Sequence, residues 1–187
     1  MHGIVLKGLK DHIKERYGTD TWGAVNERAN TSRGLYIPLE EYPDTEAYAI
    51  VSALARETGA DPATLKRRFG RQFASTLLET YDAYCRHERT GLDLLTSVDD
   101  HLATALPGHV GEVQWRWVST ARLDQDRVVL AYHSEYPLCS VVRGLVDGVG
   151  DAFGEEYRLS RRRCREEGGS HCELVVERLG RSRRTSG

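Results

Sequence analysis

At 187 residues the chain fits one domain of ordinary size, and 26 Lys+Arg against 28 Asp+Glu leave a formal charge of −2. That balance argues against an overall basic nucleic-acid binder, whose phosphate contacts need a cationic face, and 40% apolar residues argue against wholesale disorder. Apolar runs as short as Val128, Val129, Leu130 and Ala131 predict no membrane span, and the opening residues turn charged too soon for a secretory signal, so a cytoplasmic location is expected.

Ile4, Val5, Leu9, Ile13 and Tyr17 recur at helical spacing up to Gly18 and predict an amphipathic helix over residues 1–17. A short helix from Thr21 with Trp22 and Val25 should follow, then a loop over 30–38. Asp44 caps a third helix that carries Tyr48, Val51, Leu54 and Ala55 on one side and stops at Gly59. Asp61-Pro62 opens a fourth, expected to run to Phe69, to be interrupted at Gly70 and to resume over 71–85. His12 and His87 read as surface residues and Cys85 as an ordinary helix position. A further helix over 91–106 closes at Pro107-Gly108.

The period then changes. Val113, Trp115 and Trp117 alternate with polar residues, and Val128, Leu130, Tyr132 and Ser134 alternate after a polar turn, which predicts two strands. Residues 139–153 return to helix, weakened by Gly144, Gly148 and Gly150. Strands over 157–164 and 172–179 are joined by Glu166, Glu167, Gly168 and Gly169, a hairpin turn. The expected fold class is α+β, with a helical N-terminal part packed on a C-terminal antiparallel sheet with a crossing helix. One domain covers 1–179, and 180–187 form a disordered basic tail.

Four segments carry a family resemblance. They are the opening Met-His-Gly-Ile-Val-Leu-Lys-Gly-Leu, Tyr17-Gly18 followed by Trp22, the Phe69-Gly70-Arg71-Gln72-Phe73 turn, and the run from His101 to Pro107-Gly108. In order and spacing they resemble the H-NOX family of haem nitric oxide/oxygen binding domains, free-standing in bacteria and the sensor of soluble guanylate cyclase. The resemblance implies haem as cofactor, an axial histidine on the helix before the Pro-Gly turn, and a Tyr-x-Ser-x-Arg strand motif for the propionates.

Asp99 stands at the axial position, inside the arc of Leu92, Leu95, Leu102, Ala103 and Leu106, whereas His101 lies about 200° round the helix. Tyr132 and Ser134 match the strand motif, but Tyr136 replaces its arginine and offers one phenol donor where a guanidinium pairs bidentately. The family's proline after the Pro-Gly turn is also missing. A carboxylate is a weak axial ligand for iron normally held by imidazole, thiolate, thioether or phenolate, so ordinary b-type haem binding is not expected. A buried Asp99 needs a donor or a proton, with Tyr132 or Tyr136 as candidate donors, and a half-exposed one needs no role.

A subset of the family binds structural zinc through Cys-x21-His-x2-Cys-x7-Cys. Cys139, Cys164 and Cys172 keep these spacings, Arg161 replaces the histidine, and His171 is the nearest alternative fourth ligand. Three readings stand side by side: a zinc site, buried thiols that simply pack, and a redox-labile Cys164–Cys172 pair. The chain lacks Gly-x-Ser-x-Gly, phosphate-loop and His-Glu-x-x-His motifs, and adjacent strand residues His133 and Ser134 point to opposite faces, so no catalysis is expected. The expected role is a sensory module that reads redox state or zinc and reports to a partner such as a histidine kinase or a cyclic-di-GMP enzyme, without nucleic acid or membrane. A haem gas sensor with non-standard ligation is the alternative.

Overall fold

The computed structural model describes residues 1–31, 35–105, 118–134 and 136–181; the side chains of Tyr84, Asp99, Glu166, Arg181 and residues 101–105 lie outside that description. The helices are α1 (Gly3–Tyr17), α2 (Thr19–Arg28), α3 (Asp44–Thr58), α4 (Pro62–Thr80), α5 (Asp82–Cys85), α6 (Gly91–Ala105) and α7 (Cys139–Phe153). The strands are β1 (Val118–Arg122), β2 (Arg127–Tyr132), β3 (Glu155–Arg163) and β4 (Cys172–Arg181), paired antiparallel in the order β1-β2-β4-β3. This is the α+β arrangement expected. Among the described residues no helix is long and apolar enough to cross a membrane.

Two large apolar cores follow from the helical and strand periods, beside a smaller cluster of Tyr132, Cys164, Cys172 and Leu174. Leu6, Leu9, Ile13, Ile50, Leu54 and Phe69 fill the space among α1, α3 and α4. Leu92, Leu95, Val128, Leu130, Val146 and Val176 fill the space among α6, α7 and the sheet. The helix α4 serves both. Asp61 starts it, accepting from the Thr64 amide at 2.8 Å with Pro62 at the first helical position. Leu78, near its other end, packs on the second core.

Gly70 does not interrupt α4, contrary to the sequence expectation, and the glycines of α7 do not weaken that helix. The reason is one interface. A methyl group at Gly70 would strike the Val141 carbonyl of α7, and one at Gly144 or Gly148 would strike the Arg67 or Arg71 carbonyl of α4. The glycines let two backbones touch. Arg67 and Arg71 bridge the same seam to Asp147 and Asp151 at 2.6 and 2.5 Å.

Other boundaries shift as well. Described β1 starts at Val118, so the expectations for Pro107-Gly108, Val113, Trp115 and Trp117 lie outside the described residues. β4 runs to Arg181, past the expected domain limit, because Gly180 and Arg181 pair with Glu156 and Glu155. The rest of the tail, 182–187, lies outside the described residues.

His12 is buried rather than on the surface, at 3% exposure. Its Nδ1 lies 2.6 Å from Gln72 Oε1 on α4, and Gln72 in turn donates to Glu15. Burial, only partly opposed by the Gln72 hydrogen bond, lowers its pKa from 6.5. The neutral form is the folded one, so stability is full above about 6.5 and is lost as pH falls below it, by at most about 1.4 kcal/mol per pH unit. Urea midpoints of the wild type are expected to fall between pH 7 and 5 more steeply than those of His12→Gln. Parallel curves would remove His12 from the acid response.

Candidate functional site

The hairpin of β3 and β4 is in register at Arg163↔Glu173, which sets Cys164 and Cys172 opposite one another on the next rung. The turn between them tightens through Gly169 N–H to the Cys164 carbonyl at 2.9 Å, with Gly168 at φ 88°. Strand β2 ends at Tyr132, whose partner on β4 is Cys172. Cys139 is the first residue of α7, which begins at the same end of the sheet. Three segments far apart in sequence thus converge.

The Sγ–Sγ separations are 3.8 Å for Cys139–Cys164, 3.9 Å for Cys139–Cys172 and 4.0 Å for Cys164–Cys172. A tetrahedral ion with Zn–S bonds of about 2.3 Å requires sulfur edges of about 3.8 Å. The triangle fits zinc as it stands. Cys164 and Cys172 are buried and Cys139 is half-buried. Burial pushes the Cys139 thiol up to about 11 against the Tyr132 hydroxyl, which donates to its sulfur at 2.8 Å and pulls the other way. Without a cation, then, Cys139 carries its proton at neutral pH, and a bound metal displaces it. The Arg165 amide also points at Cys172 Sγ, 3.5 Å away.

The fourth ligand is less simple. Among the described residues only the three cysteines form a group whose ligand atoms lie within 4.8 Å of one another. His171 is not in that group: its Nδ1 is 3.0 Å from Ser170 Oγ, its Nε2 is 3.9 Å from Glu173, and its ring faces His133. Arg161 has no lone pair to give a metal. Its guanidinium instead holds its proton more firmly through a hydrogen bond to Cys164, and then through the charge of Glu167 at 3.2 Å.

Beside this cluster lies an apolar cavity of about 260 Å³ between α4, α6, α7 and the sheet. Leu77, Leu95, Val98, Leu130 and Val146 line it, with the ring of Tyr132 at the side nearest the thiols. The Tyr132 hydroxyl donates to Cys139. Asp99 stands on α6, but its side chain lies outside the described residues. Ser134 and Tyr136 do not share a face with Tyr132 as strand residues, because β2 ends at Tyr132. Ser134 Oγ accepts from the Tyr136 amide at 3.1 Å, and the Tyr136 ring stacks on Tyr48 of α3 at 4.5 Å.

The Haem-NO-binding family profile matches residues 2–161. The chain belongs to the Haem-NO-binding (H-NOX) family. An H-NOX protein from S. oneidensis in the Fe(II) state, a triple mutant, superposes with a TM-score of 0.86 at 20% identity, over 98% of each chain. The same organism's Fe(II)NO form gives 0.85 at 20% identity, over 96% of this chain and 100% of that one. An unliganded Fe(II) mutant from K. algicida gives 0.78 at 15% identity, over 95% and 96%. At such identities these structures establish the shared fold. No curated protein matches the sequence.

Two residues of the strand motif do not fit the propionate cradle of the H-NOX manner: Tyr132 spends its hydroxyl proton on Cys139, and Tyr136, a phenol stacked on Tyr48, stands where the family's motif has a guanidinium. The sequence order of the cysteines signalled the thiol cluster. Nothing in it signalled the Tyr132–Cys139 link, which depends on the β2–β4 register.

Proposed function

We propose that this H-NOX chain is a sensory module whose responsive centre is Cys139, Cys164 and Cys172, holding zinc when reduced and losing it on thiol oxidation. It has no catalysis of its own and reports to a partner signalling protein such as a histidine kinase or a cyclic-di-GMP enzyme. The observation that carries the reading is the sulfur triangle, whose edges of 3.8, 3.9 and 4.0 Å suit one tetrahedral ion.

When bound, zinc supplies a cross-link among α7, β3 and β4 and keeps the thiols deprotonated. The chain's own groups do the rest. The Tyr132 hydroxyl orients Cys139, the Arg165 amide faces Cys172, and Arg161 offsets negative charge at Cys164. Cys164 and Cys172 also form the oxidisable pair, with sulfurs 4.0 Å apart that close to about 2.05 Å in a disulfide. Two thiols and a hydroperoxide then give a disulfide, an alcohol and water. One thiol, Cys139, is left, too few for a closed metal site. Because Cys139 begins α7, and α7 lies backbone to backbone on α4, a change at the sulfurs acts on a helix that also belongs to the N-terminal core.

Metal analysis with an absorption spectrum of the purified protein tests this. Near one equivalent of zinc and no Soret band are expected. Stoichiometric haem without zinc overturns the reading and favours the gas-sensor alternative.

A further inference from the structure

We propose that His133 and His171 form a metal site of their own, on the face of the sheet opposite the thiols, for a divalent transition ion that imidazole suits: copper, nickel or zinc. Strand register places the pair. Tyr132 of β2 is the partner of Cys172 on β4, and Ala131 is the partner of Glu173. Successive side chains of a strand point to opposite faces. Tyr132, Cys172 and Leu174 pack together on the inner face, so His171 and Glu173, on either side of Cys172, belong to the outer one. His133, one residue past the end of β2, comes opposite His171 on the next rung. The two imidazoles meet there, with ring centroids 5.1 Å apart and planes inclined by 30°.

That spacing is the spacing of a chelate. With metal–nitrogen bonds of about 2.0–2.1 Å, two imidazoles on one ion at square or tetrahedral angles hold their ring centroids about 4.5–5.3 Å apart. His133 is exposed, so its ring turns about the Cβ–Cγ bond to aim a nitrogen at the ion without disturbing the core. His171 is held more closely. When Nδ1–H donates to Ser170 Oγ at 3.0 Å, Nε2 keeps its lone pair for a metal. Glu173 Oε2 lies 3.9 Å from that Nε2 and adds a negative charge that favours a cation. Two neighbouring cations are engaged: Arg162 faces the other Glu173 oxygen at 3.3 Å, and Arg165 donates to the Ser134 carbonyl at 2.8 Å. An ion held by the two imidazoles, with water completing its coordination, ties the end of β2 to the start of β4 and uses no sulfur.

Nickel(II) is the probe, because it binds imidazole and does not oxidise thiols. Titrated into the full-length protein, it is expected to broaden the ring proton NMR signals of His133 and His171 at one saturable site, ahead of those of His12 and His87. Thiolate charge-transfer absorption reports separately on any nickel at the cysteines. His133→Asn and His171→Asn should each weaken binding at the saturable site by at least about tenfold, since even the loss of an outer-shell partner costs about 10–100-fold in metal affinity. His87→Asn, at an exposed position, should leave it unchanged. Circular dichroism identifies whichever variant keeps its fold.

Ring signals of His133 and His171 that do not saturate with nickel, or an unchanged affinity in a folded His133→Asn or His171→Asn protein, overturn the proposal. The imidazole signals do not read the thiol cluster, so their failure is distinct from failure of the zinc site.

Discussion

Replacing Cys164 by serine is expected to take bound zinc from about one equivalent to below about 0.1, and to produce the largest loss of thermal stability of any single cysteine substitution. Cys164 is the most buried of the three thiols, at 2% exposure, and belongs to the hairpin rung that faces Cys172. A hydroxyl there is a poor zinc ligand, and the two remaining sulfurs cannot close a tetrahedron. With zinc at about a thousand times its Kd, metal binding adds about 4 kcal/mol to the folded state. For a chain of this size that corresponds to a Tm lower by about 8–16 °C. Cys85→Ser is the control, because Cys85 lies at the end of α5, outside the thiol group. Elemental analysis and calorimetry decide the matter: a Cys164→Ser protein with full zinc and an unchanged Tm ends the metal proposal. Arg161→His tests the fourth corner, since it supplies an imidazole one short strand segment from Cys164, and it should tighten zinc binding.

The second large effect lies at the seam of α4 and α7. Gly144→Ala is expected to destabilise the protein by about 1–3 kcal/mol, because the added methyl meets the Arg67 carbonyl and a backbone cannot rotate aside. The helix-propensity gain of Gly→Ala, about 0.8–1 kcal/mol, is too small to offset that collision. Gly23→Ala makes the contrast. Gly23 lies on α2 with nothing within 4 Å of an added Cβ, so the same substitution should stabilise by about 0.5–1 kcal/mol. Gly148→Ala should behave like Gly144→Ala, and the double variant should cost less than the sum, because one separation of the helices relieves both clashes. Urea unfolding of the four variants measures this, and additive losses would show that the two contacts yield locally. The ion pairs Arg67–Asp147 and Arg71–Asp151, with their arginines more than half exposed, contribute about 0–1 kcal/mol each and do not hold the seam.

Much of the fold was legible from local chemistry. Helix α3 spans Asp44–Thr58 and α7 spans Cys139–Phe153, as apolar spacing predicted, and Gly59 ends α3 in the left-handed conformation. Asp44, however, is the first residue of α3 and not its cap, because Pro43 takes the N-cap place without a side-chain hydrogen bond. The last hairpin falls where the paired glycines place it. Gly70 was read as a break and the α7 glycines as weak points, because a sequence shows a missing side chain but not the carbonyl that fills its place. His12 was read as exposed because it is polar, although α4 supplies Gln72 to receive it in the core.

By itself the sequence determined the α+β order of elements and the cysteine spacing, since each depends on neighbours along the chain. Only the tertiary structure decided that three sulfurs form a triangle of tetrahedral dimensions, that Tyr132 serves a thiol, and that the described cavity walls are apolar. The physical reason is range. Helix periods and caps act within a few residues, whereas strand register and helix contact act across gaps of dozens, and both the thiol site and the cavity are assembled by the latter.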